Sequence, residues 1–561
     1  MFGLFSSVIL LRKVYKKDET IPIYYSMIGP HGNPVETYSF FRLPFCHRPQ
    51  AQIKRSLLDY ITGNELYDVG INIKYMNNET FAHICSKTLN HNEIRSLESA
   101  VLNGYWINLI IDDIVVLVSL GSSASGHPLV FSHYHFTIAH NDASILQINA
   151  SMRTPLKLVD GENLSFSYSL DWIHFDIRHP HSSSMDSSFF KNNIHYYSSI
   201  NSALLVFLLV LLVVLILNRV LKRDYSRFIH EATLDGFEID INTERGWKIL
   251  HGDVFRPPNR VAILSIISGA GMQAVFCLVV FSGVASLSNK LYNIDMLKYF
   301  FIIFVLASPV SGFFSVSFGK AFGIMKWLRF AFASSLILPI TVLLCFVFSS
   351  VLSFVFGTNR VISPFFFIIF GFAIVFIILP LGGFGGWLAL KAKILQGNKC
   401  DFSLVSRPIP VLKWWLRLPF LSFFVGVLCS TSILIEVYYI LTAVWQHNSY
   451  YLWGFLFITS SIMISVSASS TVLVVYLKLQ ELDYRWQGLS FFASSSTGIF
   501  IFSYCMYFYF TKTGTNGLYS TLYYILFSSS FSLIVSLICG GIGYFSANVF
   551  VHKIYKNLKI D

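Results

Sequence analysis

Glu436 stands in Leu434-Ile-Glu-Val-Tyr-Tyr439, within an otherwise apolar run. A carboxylate buried in such a run is costly, so it raises proton or ion coupling as a function. Two other readings remain open: it accepts hydrogen bonds from Tyr, Ser or Thr on a neighbouring helix, or it sits near the lumenal interface of a bilayer. His251 and Asp253 are two residues apart, which in an extended segment puts both side chains on one face. A catalytic or metal pair is one reading. A structural clamp is the stronger one, because no third partner stands nearby and Pro257-Pro258 suits a stiff entry into a helix. Lys478, Glu481, Asp483 and Arg485 read as a solvated charge cluster at the end of an apolar run.

Of the eight cysteines, Cys277, Cys345, Cys429, Cys505 and Cys539 lie in apolar runs, where a thiol is usually a small buried hydrophobe. Cys400 lies in a polar loop. Cys46 and Cys85 lie in the polar N-terminal part, and they are the natural disulfide pair if that part faces an oxidising compartment. No Cys or His spacing suits zinc. Gly382-Gly-Phe-Gly-Gly386 lacks the Lys-Ser/Thr of a phosphate loop and, like Gly540-Gly-Ile-Gly543, reads as close helix packing. Pro309, Pro339 and Pro380 are expected to kink their helices. The Ser-rich stretches 465–470 and 493–496 suit hydrogen bonds between helices. With no Ser-His-Asp triad, paired carboxylates or nucleotide fingerprint, neither an enzymatic activity nor a cofactor is expected.

The elements that position these residues are membrane helices. The chain of 561 residues is 54% hydrophobic and 13% charged, with 54 Phe and 29 Tyr, where soluble chains carry about 25% charged residues. Its mean hydropathy is +0.59. Lipid can solvate such a surface. Ala203 to Leu217 opens the series, followed by runs near 261–287, 297–318, 328–353, 362–390, 420–444, 450–477, 491–511 and 520–550. About nine spans are therefore expected. The formal charge of +11 sits in short loops between the runs, which excludes a concentrated nucleic-acid face. Segments 219–260 and 391–419, the loops holding Lys320, Lys326, Arg329, Lys478 and Arg485, and the tail carry most Lys and Arg, and so are assigned to the cytosol. Alternate loops hold little beyond Lys290, Lys298, Arg360 and Lys512. The N-terminal domain is then lumenal.

That domain reads as β-rich and sandwich-like, with strand-like runs at Asn108–Val118 and Leu164–Trp172. Its sequons at Asn78, Asn149 and Asn163 are candidate N-glycosylation sites. The expected organisation is a complete or clipped signal peptide over 1–18, a lumenal domain over 19–198, a first transmembrane helix over 199–220 and a cytosolic linker over 221–260. An eight-helix bundle over 261–551 and a cytosolic tail over 552–561 complete it.

Several motifs resemble the transmembrane 9 superfamily, or nonaspanins, and look most like its member 3 branch. They are Ile28-Gly-Pro-His-Gly-Asn-Pro-Val-Glu-Thr-Tyr-Ser-Phe-Phe-Arg-Leu-Pro-Phe-Cys46, Ser188-Phe-Phe-Lys-Asn-Asn-Ile-His-Tyr-Tyr197, Gly246-Trp-Lys-Ile-Leu-His-Gly-Asp-Val-Phe-Arg-Pro257, Ser308-Pro-Val-Ser-Gly312, Arg407-Pro-Ile-Pro410 and Asp483-Tyr-Arg-Trp-Gln487. The third is the most specific, and its signature residues are Trp247, His251, Gly252, Asp253, Phe255, Arg256 and Pro257. The family's aromatic cluster after Asp483-Tyr484 is thinned here to Trp486, followed by Gln487, and Ser469 stands where some branches carry an acidic residue.

The resemblance implies a Golgi and endosomal protein that sorts or delivers other membrane proteins. Its implied partners are the bilayer, client membrane proteins and the COPI coat, the last through a C-terminal Lys559-Ile560-Asp561 retention signal. A proton- or ion-coupled transporter or channel using Glu436 is the alternative.

Overall fold

In a computed structural model of the chain, the described residues are 15–45, 63–123, 128–158, 163–174, parts of 203–222, 247, 250–287, 295–392, 407–445, 452–513 and 517–556, short interruptions aside. They divide into two compact units. One unit joins the N-terminal domain with 346–366 and 509–524, and the other holds the rest of the helices.

The N-terminal domain contains two five-stranded sheets. The first runs in the order β2 (Tyr38–Ser39), β1 (Thr20–Pro30), β5 (Tyr105–Ile111), β6 (Ile114–Ser119), with β3 (Tyr67–Lys74) also pairing β1. The second runs β4 (Glu79–Thr88), β10 (Asn163–His174), β8 (Leu129–Asn141), β7 (Gly121–Ser122), with β9 (Ser144–Lys157) also pairing β8. The β8–β10 pair is parallel and the other ladders are antiparallel. On β8, Val130, Tyr134, Phe136 and Ile138 point inward while Phe131, His133, His135 and Thr137 on the other face are partly exposed. They share one core with Ile23, Ile107 and Ile111 of the first sheet. Helix His91–Leu102 packs Leu97, Ala100 and Val101 onto the same core. The Asn90 backbone N–H and Lys87 both donate to the Glu93 carboxylate at its start, and they hold that carboxyl below its ordinary range.

One strand expectation is corrected. Residues 108–118 form two strands, because Asp112 takes a left-handed turn conformation (φ 50°) and folds β6 back on β5.

Among the described residues, seven helices are long and apolar enough to cross a bilayer, and a bent pair makes an eighth. They are Val261–Ala285, Tyr299–Ala321, Trp327–Phe356, Pro364–Lys391, Leu456–Gln480, Trp486–Thr513 and Leu518–Tyr555, with the pair Leu418–Ser432 and Leu434–Thr442. The first expected span corresponds to a shorter apolar helix, Val206–Val220. Phe354, Phe365, Ile368 and Phe372 project from the helices as exposed large hydrophobics, as lipid-facing side chains do. The chain is thus a multi-pass helical membrane protein with a β-rich N-terminal domain.

Two departures concern helix continuity. The sixth expected span, 420–444, bends by 55° between Ser432 and Leu434. Pro339 lies inside an unbroken helix, Trp327–Phe356, and marks no interruption. Pro309 and Pro380 do mark them: Pro309 opens a helix after the break at Ala307, and Pro380 follows a π-turn over Ile374–Ile378.

The glycine patches pack helices. A Cβ on Gly312 would collide with the Gly382 carbonyl, one on Gly385 with that of Pro309, and one on Gly541 with the Gly271 backbone.

Candidate functional site

Three groups of polar side chains stand out from this apolar frame. In the first unit, the N-terminal motif is tied to the loop 357–360 and to the first turns of helix Leu518–Lys556. Asn359 N–H donates to the Thr37 carbonyl at 3.0 Å. Arg360 donates from Nε to Thr37 Oγ1 at 3.4 Å and from Nη1 to Tyr523 OH at 3.3 Å. Its guanidinium also lies 5.4 Å from the Tyr523 ring centre. Arg42 stacks on Tyr38 and reaches the Gly357 carbonyl at 3.4 Å, Asn33 donates to Ser520 Oγ, and Thr358 donates to Tyr519 OH at 3.2 Å. Arg360 is buried, 8% exposed. In the sequence it is one of a few basic residues in the weakly charged loops. Only the structure shows it as the centre of this network.

The second group gathers the family signature. Tyr555 OH donates to the Trp247 carbonyl at 2.7 Å, and their rings meet edge to face. Trp486 Nε1 donates to the Val254 carbonyl at 3.0 Å. Gln487 Nε2 donates to the carbonyls of Val254 and Arg256, at 3.2 and 3.1 Å. Asp253 is buried and accepts two bonds from Arg256, the shorter at 2.7 Å. Phe255 packs on His552, while His251 and Gly252 are partly exposed and Pro257 is exposed. Asp253 therefore pairs with Arg256, in keeping with the clamp reading of this segment. Trp486, to which the aromatic cluster is thinned, and Gln487 after it hold the segment's backbone.

The charge cluster beside it is corrected. Asp483 and Lys478 are buried, joined Nζ to Oδ2 at 3.0 Å, and Lys478 also donates to the Leu416 carbonyl at 3.2 Å. Burial alone would raise the Asp483 carboxyl. Bonds from the Arg485 side chain and backbone N–H and from Lys478 outweigh it and hold the group below the usual carboxylate range.

The third group is Glu436 alone. It is 2% exposed, in the first turn after the bend at Ile433, and neither carboxylate oxygen has a hydrogen-bond partner among the described residues. A small, largely apolar cleft lined by Ser430, Leu434, Val437, Phe500, Ile501 and Tyr504 opens at the same bend, and Glu436 does not line it. The expected Ser-rich bonding is mostly local: Ser465, Ser469 and Ser470 donate back to carbonyls of their own helix. Ser496 reaches across to the Ser422 carbonyl at 2.6 Å.

On the outer face of the second sheet, His133 bonds Ser167 Oγ at 2.8 Å and Ser169 Oγ at 3.0 Å. His135 bonds Ser169 at 2.8 Å and lies 3.4 Å from Asp171. Burial first, then Arg153 and His135, pushes His133 below its ordinary value. The sequon residues Asn78, Asn149 and Asn163 are all exposed. Cys85 is disulfide-bonded, while Cys46, Lys559 and Asp561 lie outside the described residues. Among the described residues, no group of three or more His, Cys, Asp or Glu could hold a metal ion.

Comparison with known proteins covers nearly the whole chain. Residues 37–518 match the family model described as endomembrane protein 70. The chain is 28% identical to "Transmembrane 9 superfamily member 4" of Arabidopsis thaliana, over 98% of this chain and 95% of that protein. It is 26% identical to "Transmembrane 9 superfamily member 1" of Mus musculus, over 98% and 94%. It is also 26% identical to "Putative phagocytic receptor 1b" of Dictyostelium discoideum, over 99% and 97%. The Arabidopsis member 3 protein matches at the same 28% as member 4, so the member branch is not resolved. No solved structure matches. The β-rich domain, the apolar helices behind it and these full-length likenesses agree, and the chain belongs to the endomembrane protein 70 family of transmembrane 9 superfamily proteins.

Proposed function

We propose that this protein sorts other membrane proteins within Golgi and endosomal membranes and delivers them to their destinations, without a catalytic step of its own. The observation that carries the reading is the Thr37–Arg360–Tyr523 network. It hydrogen-bonds a sheet domain able to touch a client's ectodomain to the ends of helices able to meet the client's transmembrane segment. A carrier that reads both parts of one client needs such a connection. The charge asymmetry of the loops and the exposed sequons support a lumenal N-terminal domain and a cytosolic tail. One relative's name, a putative phagocytic receptor, also suggests recognition at a membrane.

We further propose cycling by the COPI coat, read through Lys559 and Asp561. The double substitution Lys559→Ala/Asp561→Ala tests this in cells. Loss from the Golgi is expected, and an unchanged distribution would remove the retention claim.

A second reading, a proton- or ion-coupled transporter or channel, is favoured by the unpartnered carboxylate of Glu436.

A further inference from the structure

We infer that Glu436 is the binding site for a single positive charge inside the bilayer, a proton or a desolvated monovalent metal cation. The inference stands apart from the sorting role and from any transport.

The first ground is geometric. Glu436 is 2% exposed, and among the described residues both its oxygens lack a donor. Burying a bare carboxylate without donors is strongly unfavourable. A bound positive charge removes that cost.

The second ground is the surroundings. Helix Leu434–Trp445 packs against Leu418–Ser432, Leu452–Gln480 and, through Tyr438 and Phe508, Thr497–Phe508. These four helices contain no Arg, His or Asp, and Glu436 is their one carboxylate. Their only cation is Lys478, which is engaged by Asp483. The remaining titratable groups on them are the thiols of Cys429 and Cys505 and the phenols of Tyr438, Tyr439, Tyr476, Tyr504 and Tyr507. None of these can supply a positive charge.

The third ground is the bend. The span breaks by 55° three residues before Glu436, after Ser432. A broken span frees backbone carbonyls at depth, the setting in which membrane proteins hold cations. Ser430, Thr431 and Ser432 add hydroxyls to the end of the first half. Cation occupancy at Glu436 keeps the second half buried in its bent arrangement. Loss of the cation leaves a charge that only water can satisfy, and the bend must open.

The test uses the full-length protein in lipid nanodiscs, comparing wild type with Glu436→Gln, which keeps the shape and removes the charge. Thermal unfolding is followed in two series: falling pH in choline chloride, and rising sodium or potassium chloride, against choline, at fixed pH. Relative to Glu436→Gln, wild type is expected to gain several degrees in one series, acid identifying the proton and salt the metal. The acid losses at Asp483 and His133 are common to both proteins and cancel in that difference. Parallel responses of the two proteins in both series would overturn the inference. Should Glu436→Gln not fold, labelling of wild type with dicyclohexylcarbodiimide decides. Adduct at Glu436 that acid promotes or sodium suppresses supports the site, and its absence under all conditions overturns it.

Discussion

Tyr555, in the last helix, donates its hydroxyl to the backbone carbonyl of Trp247 at 2.7 Å, across 308 residues of chain. That bond closes a cluster in which Trp486 and Gln487 hold the carbonyls of Val254 and Arg256. A segment rich in special residues is thereby fixed by its backbone. Its side chains serve packing and the Asp253–Arg256 pair.

Tyr555→Phe removes this buried hydrogen bond, so about 0.5–1.5 kcal/mol of stability is expected to be lost. Gln487→Ala removes two hydrogen bonds at once and is expected to cost at least as much. Thermal unfolding in detergent measures both.

Asp483→Asn strands Lys478 without its counter-charge in a buried site. The expected loss is about 3–5 kcal/mol. Replacing both Asp483 and Lys478 with apolar residues is expected to recover much of it. The wild-type carboxyl is held below its unfolded value, so its stabilisation is present above the unfolded pKa and disappears as pH falls through the folded one. Unfolding of wild type and Asp483→Asn across acidic pH tests the sign: the two curves should converge as pH drops.

His133 has the opposite chemistry and the same direction. Its folded pKa lies below the unfolded one, so the unfolded chain takes up the proton first and stability falls as pH drops below about 6.5. His133→Gln is expected to flatten the unfolding profile of the N-terminal domain between about pH 7 and pH 5. An unchanged slope would mean that another group carries it.

Arg360→Lys keeps the charge and loses the planar donor set that spans Thr37 and Tyr523. Slower hydrogen exchange at the Thr37 segment in wild type than in the variant is expected, with about a 1–3 kcal/mol loss of local protection.

Hydropathy made the spans legible because a bilayer demands long apolar runs, and each expected run overlaps an apolar helix, the first of them a short one. Continuity was less legible. Pro339 sits in an unbroken helix, while the bend at Ile433 has no proline or glycine to announce it. The hairpin at Asp112 hid in an apolar stretch whose turn is two acidic residues long. Burial of Lys478 and Asp483 could not be read from spacing, because a buried ion pair and a solvated cluster use the same residues. Arg360 was visible only as an isolated charge, since its partners lie more than 160 residues away in both directions.

Delivery of other membrane proteins, the proposed role, is tested most directly by quantitative surface proteomics of cells lacking this protein. A defined subset of multi-pass and single-pass proteins is expected to fall at the surface and to return on re-expression of the wild-type chain. A surface proteome unchanged by its loss would contradict the proposed role.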